Sequence, residues 1–299
     1  ASAGPARLGA LHEALAATQE AYEGALVVRW GRPEDVVPAL AAELGAGSVH
    51  VSTETTPYGR RRDARVAQRL EVPLVETGSP YAVTPGRVLT GAGEPYQVFT
   101  PFSRAWREHG WRAPAATPAG VRWHRGVAGE DLPGAAPAGS RPTSAQDTVG
   151  EASALRRWAE VLDGGLDLYG EERDRPDLDG TSRLSAQLKY GTVHPRTLLA
   201  ELAAHPSGRS PGATRFVTEL CWREFYADVL WHRPESAWAD LRPSLTALPY
   251  DDPDDEAVAP LVEAWREGRT GYPFVDAGMR QLLATGAADP ARRHPVGRD

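Results

Sequence analysis

Apolar positions change their rhythm twice along this chain of 299 residues. In the first third, short apolar runs alternate with amphipathic stretches. "ALVVR" (25–29), "SVHVST" (48–53) and "VPLVET" (72–77) read as strands, with "PEDVVPALAAELGAG" (33–47) and "RRRDARVAQRL" (60–70) as helices between them. The first of these helices opens on acidic residues and closes on glycines, which suits the helix dipole and the usual stop signal. Strands alternating with helices of this length predict a parallel α/β sheet. An amphipathic stretch over 8–22 precedes the first strand. A parallel sheet that begins with a helix is expected to lack its opening elements.

Over 113–150 the periodicity disappears and proline, glycine and alanine dominate, as in an interdomain linker, exposed or draped over the surface. From Glu151 onward helical periods recur, at 151–162, 182–190, 195–204, 212–230, 256–267 and 273–285. The second half is expected to be mostly α.

Composition narrows the class. Apolar residues at 41% and charged residues at 24% fit a soluble globular protein, and no apolar run approaches membrane-spanning length. The start lacks a signal peptide's basic and apolar segments. A single cysteine, Cys221, excludes an intrachain disulfide framework and points to the cytoplasm. The histidines form no HxxxH pair and there is no CxxC, so no metal site is expected. A net charge of −7 gives no global reason to bind nucleic acid, so such a site would be a local patch. Between Thr181 and Pro234 basic residues outnumber acidic ones seven to four, a modest basic patch.

The stretch "ATRFVTELCWREFYADVLWHRP" carries the most chemistry. As a helix it places Phe216, Glu219, Trp222, Arg223 and Tyr226 on one stripe, at steps of three and four. Val217, Leu220, Cys221 and Phe225 lie on a neighbouring face suited to a core. The pattern fits two core faces with a solvated Glu–Arg pair. It also fits a cavity wall that stacks planar groups and offers an acceptor and a cation. Upstream, Gly180, Thr181, Ser182 and Ser185 put hydroxyls and free amides at a helix start, either as a plain cap or as an anion site.

At these residues the sequence resembles the DNA photolyase/cryptochrome family, most of all bacterial class I photolyases that repair cyclobutane pyrimidine dimers. The matching stretches are "YQVFTPFSRAW" (96–106), "ERDRPDLDGTSRLSAQLKYGTVHPR" (172–196), "ELCWREFYADVL" (219–230) and "WREGRTGYPFVDAGMRQLLATG" (265–286). The resemblance implies an α/β antenna domain with a Rossmann-like parallel sheet (1–112), the linker (113–150) and an all-α FAD-binding domain (151–286). Reduced FAD would donate an electron, on illumination, to a flipped-out dimer in UV-damaged DNA. By motif, Tyr169 and Phe216 would contact the flavin, and Thr181, Ser182, Arg183, Leu184 and Ser185 would wrap its phosphates. Glu219 and Trp222 would be the catalytic pair, holding the dimer bases by hydrogen bond and by stacking. Arg173, Arg223 and Tyr226 would complete the DNA contacts, in a monomer free of the membrane. Flipping a dimer costs less than flipping a paired base, and stacking on an indole returns about 1–3 kcal/mol per base.

Departures from the family pattern set further expectations. The family's opening βαβ has no counterpart here, and "AADPARRHPVGRD" (287–299) resembles nothing in it. The chain is therefore expected to be truncated at both ends, with an unrelated, disordered tail. Tyr250 stands where many relatives carry the outermost tryptophan of an electron-transfer chain. A half-built flavin cavity predicts weak or absent FAD binding and poor repair. "TETTPYGRRRD" lacks the Asn-Glu pair of folate-type relatives, and its Pro-Tyr-Gly favours an 8-hydroxy-deazaflavin antenna over methenyltetrahydrofolate. Two other readings are a cryptochrome-like flavin photoreceptor and an inactive fragment. Glu219 and Trp222 favour repair over signalling.

Overall fold

The computed structural model describes residues 5–132, 148–175, 177–178, 180–245 and 247–285. The stretch 287–299, read above as a tail, lies outside them. Helix α1 (Pro5–Ala21) is followed by α2 (Pro33–Glu43), β1 (Val49–Val51), α3 (Pro57–Arg69) and β2 (Leu74–Glu76). β1 and β2 pair in parallel, Val49 opposite Leu74, with α3 as the crossover. Thr56 caps α3 by accepting from the Gly59 amide at 3.2 Å. The basic face of α3 meets the acidic first turn of α2, where Arg65 lies 3.3 Å from the buried Glu34 carboxylate.

The expectation of a strand at 25–29 is corrected: the segment is extended but joins no sheet among the described residues. Its backbone groups still need partners. The stretch read as a linker supplies them, because the Glu130 amide donates to Val28 O at 2.8 Å and Arg29 Nε donates to Ala128 O at 2.9 Å. Tyr22 stacks on Trp123 at 4.8 Å, and Arg125 pairs with Glu23 at 2.9 Å. Residues 123–130 are thus folded back along 22–30. The far end of the linker is also anchored: Val149 is buried, and its amide donates to Glu13 at 3.1 Å.

The helical half follows the predicted periods closely. α5 (Glu151–Glu160) runs into a π-helical turn, Val161–Gly165, then come α6 (Tyr169–Glu172), α7 (Ser185–Tyr190), α8 (Pro195–Ala204), α9 (Pro211–His232), α10 (Ala259–Arg266) and α11 (Pro273–Thr285). The helix expected from 182 begins only at Ser185, because Arg183 takes a left-handed φ of 54° that no helix accommodates. Two helices lie outside the predicted periods, the four-residue α6 and, in the first half, α4 (Phe99–His109), within the motif "YQVFTPFSRAW". α4 buries Phe102 and Trp106 against α9.

A single apolar cluster joins the two halves. Ala82, Val83, Val88, Phe102 and Trp106 meet Trp158, Leu198, Phe216, Leu220 and Phe225 in it. Each large side chain buried there contributes about 1.5–3 kcal/mol. A ring of polar contacts surrounds the entry of segment 79–88. Glu224, buried on α9, accepts from the Val83 amide at 3.0 Å, from Trp106 Nε1 at 2.6 Å and from the Ala82 amide. One turn on, Asp228 accepts from the Gly86 amide at 2.7 Å. Arg196 donates to Ala82 O at 2.9 Å. Both ends of α9 sit against backbone or ring at closest approach. A Cβ at Gly212 would lie 1.8 Å from Leu166 O, and one at Gly86 would lie 2.5 Å from Trp231 Nε1.

Candidate functional site

Helix α9 starts cleanly, with Ser210 accepting from the Ala213 amide at 3.1 Å and Pro211 in the first turn. Phe216, just over one turn in, is buried between two rings. Trp158 of α5 stacks on it at 4.9 Å, and Tyr169 of α6 meets it edge-on at 5.6 Å. The Tyr169 hydroxyl bonds to Ser182, and burial pushes its pKa up. Trp158 Nε1 is buried and has no partner among the described residues.

Glu219 follows on the same face. Its carboxylate, 30% exposed, pairs with Arg173 and lies 3.4 Å from Arg215 Nε. The Arg173 side chain is only 11% exposed and also reaches Asp174 at 3.3 Å. Trp222 lies flat against Phe99 of α4, with centroids 3.5 Å apart and planes at 6°. Tyr226 stacks on Trp222 at 5.6 Å and is itself 64% exposed. The structure thus brings together Tyr169, Arg173, Phe216 and Glu219, and continues the stripe outward through Trp222 to Tyr226.

Segment 181–185 closes one side. Thr181 and Ser182 are half-buried, Arg183 and Ser185 are exposed, and Leu184 has its side chain in the core. Of this segment, Leu184 can therefore offer a ligand only its backbone.

Arg223 lies apart from the rest of the stripe. Read by sequence as a DNA contact, it turns its guanidinium inward to the joint between the halves. Nη1 donates to Pro80 O at 3.0 Å, Nη2 to Leu188 O at 3.2 Å, and the plane lies 4.4 Å over Tyr81. Burial lowers its pKa. The reason is reach: a long side chain on the edge of the stripe finds two carbonyls that need donors. Arg196 is occupied in the same way, so the basic patch is smaller than its count implied.

Four contributors carry no sign of their role in the sequence, Arg215 of α9 among them. Phe99 stood inside a quoted motif but was assigned no role. Trp158 and Arg157 sit on a helix read only for its period.

An α/β unit locked to a helical unit, whose long helix presents an aromatic wall and an acid–guanidinium cluster, is an arrangement with known counterparts. The chain belongs to the DNA photolyase family. The sequence model described as DNA photolyase matches residues 1–119, and that described as the FAD binding domain of DNA photolyase matches 216–297. The second match extends past Gly286. The chain is similar to a deoxyribodipyrimidine photo-lyase of Thermus thermophilus, 40% identical over 285 residues, covering 94% of this chain and 63% of the relative. It is similar in structure to a class III photolyase from Agrobacterium tumefaciens, with a TM-score of 0.80 at 32% identity, covering 98% of this chain and 63% of that one. A Synechocystis cryptochrome also gives a TM-score of 0.80, at 21% identity, and shows the shared fold alone. The chain therefore spans about 63% of the length of these photolyase relatives.

The residues present fit FAD on the side they form. Hydroxyls of Thr181, Ser182 and Ser185 could donate to phosphate oxygens, and Tyr169 and Phe216, packed with Trp158 in the buried cluster, could back a ring held against it.

Proposed function

We propose that this chain acts in light-driven, FAD-dependent repair of cyclobutane pyrimidine dimers in DNA, as a carbon–carbon lyase. The observation that carries the reading is that Trp158, Tyr169 and Arg173 gather around Phe216, Arg215 and Glu219 of α9, the helix where the match to the FAD-binding domain begins. Tyr169 and Phe216 would hold the flavin ring, and residues 181–185 the phosphates. Bound reduced FAD would supply the electron that light delivers to the dimer. The protein's part is placement. Arg173 and Arg215 orient the Glu219 carboxylate, so that it accepts hydrogen bonds from the N–H groups of the dimer bases. Trp222 and Tyr226 offer aromatic surface to a flipped base, with Phe99 backing the indole from the α/β half. That half is proposed as the antenna-type domain.

The test is direct. The purified chain is titrated with FAD, its visible spectrum recorded, and a thymine-dimer oligonucleotide illuminated in its presence. Flavin uptake with light-dependent loss of dimers supports the reading, and the affinity also decides the expectation of weak binding. No flavin uptake overturns it. Trp222→Ala should weaken damaged-DNA binding while sparing FAD, and unchanged DNA affinity would remove Trp222 from the site.

A further inference from the structure

Arg157 stands one residue before Trp158, yet its side chain serves a different segment. Nη2 donates to Thr181 O at 2.9 Å and Nε to Ser182 O at 3.1 Å, while Nη1 donates to the Glu160 carboxylate at 3.0 Å. A planar fork suits two successive carbonyls, and Glu160 fixes the fork from outside. The consequence concerns the opposite side of the same peptide units. With the carbonyl oxygens of Thr181 and Ser182 drawn toward α5, acceptors are removed from the surface that carries the hydroxyls. Arg183 follows at φ 54°, and Leu184 returns to φ −86°, ψ 2°. Such an alternation of hand turns successive N–H groups toward one concavity. A left-handed conformation is unfavourable for a residue with a side chain and persists only where the surroundings enforce it. Arg157 is the side chain that grips the chain immediately before that residue.

We infer that Arg157 is a positioning residue for the phosphoryl groups of a dinucleotide cofactor, acting through segment 181–185 and not by its own contact. The inference rests on the flavin reading above. It adds a residue on α5 that sets how the 181–185 segment faces its ligand. The guanidinium does two things at once: it orients the peptide units, and it places a positive charge behind them that favours an anion in front.

The test compares the full chain with Arg157→Gln and Arg157→Lys in fluorescence titrations with FAD and with riboflavin, which lacks every phosphoryl group. Arg157→Gln is expected to weaken FAD by about tenfold or more, the scale of a lost charge-assisted hydrogen bond, and to leave riboflavin within about twofold. Arg157→Lys keeps the charge but not the fork, and should fall between. Amide exchange on the ligand-free chains gives a second readout. Residues 183–185 should exchange faster in Arg157→Gln while 216–225 keep their protection. Equal loss for both ligands, unchanged FAD affinity, or a loss of protection across both segments overturns the inference while leaving the flavin reading intact. A wild-type chain that takes up no FAD overturns both.

Discussion

Glu219 and Glu224 lie little more than one turn apart on α9, and an arginine of the same helix is close to each. They have opposite fates. Glu219 keeps part of its carboxylate in solvent and is held by two guanidinium groups, Arg173 and Arg215. Glu224 is buried and accepts from two backbone amides and an indole of the α/β half. Five residues rotate a helix by well over a quarter turn beyond one revolution, so the two acids look into different neighbourhoods. The same chemistry is committed to holding the fold in one case and left open to a ligand in the other. What separates them is the partner: two backbone amides and an indole fix Glu224, whereas among the described residues Glu219 meets side-chain cations.

The largest expected effect breaks the fixed side. Glu224→Ala leaves the Ala82 and Val83 amides and Trp106 Nε1 without their acceptor, and should cost roughly 3–5 kcal/mol in urea denaturation. A loss under about 1 kcal/mol would show that the joint contributes little. Asp228→Ala strands chiefly the Gly86 amide and should cost about 1–3 kcal/mol by the same measurement.

A smaller effect appears on titration. Burial raises the pKa of Glu224 above its ordinary 4.5, against its three hydrogen bonds, which lower it. The folded state then holds this proton to higher pH than the unfolded chain, so this contribution to stability falls as pH rises from 4.5 through the raised value. His194, whose pKa burial lowers from 6.5, adds a slope of opposite sign below that pH. Glu224→Gln removes the first slope only. Parallel stability–pH curves for wild type and Glu224→Gln would contradict this account. The smallest stability change is expected at the open acid: Glu219→Ala should alter folding by less than about 1 kcal/mol, since partly exposed ion pairs contribute little. Its effect should appear in damaged-DNA affinity instead. A large loss of stability would place Glu219 with Glu224.

How much of this contrast could be read beforehand follows from its physics. Steps of three and four residues sufficed to align Phe216, Glu219, Trp222 and Tyr226, because a helix fixes side-chain direction locally. The βαβ unit and most helices of the second half were legible for the same reason. The end point of Arg223, at Pro80 O and Leu188 O, was not legible, because direction at Cβ does not settle where a long guanidinium ends. Glu224 and Asp228 passed unnoticed because acids on a helix are ordinarily solvated, and their partners lie about 140 residues upstream. The extended run at 25–29 had a strand's composition. Whether it enters a sheet depends on neighbours that no local pattern encodes.

The two glycine approaches at the ends of α9 have a mechanical consequence. A helix of 22 residues is about 33 Å long. One end abuts Leu166 O across Gly212, and the indole of Trp231 near the other abuts Gly86. Neither end has room for a side chain at the glycine, so any residue larger than glycine at position 212 or 86 must push the helix away from Leu166 or from segment 79–88.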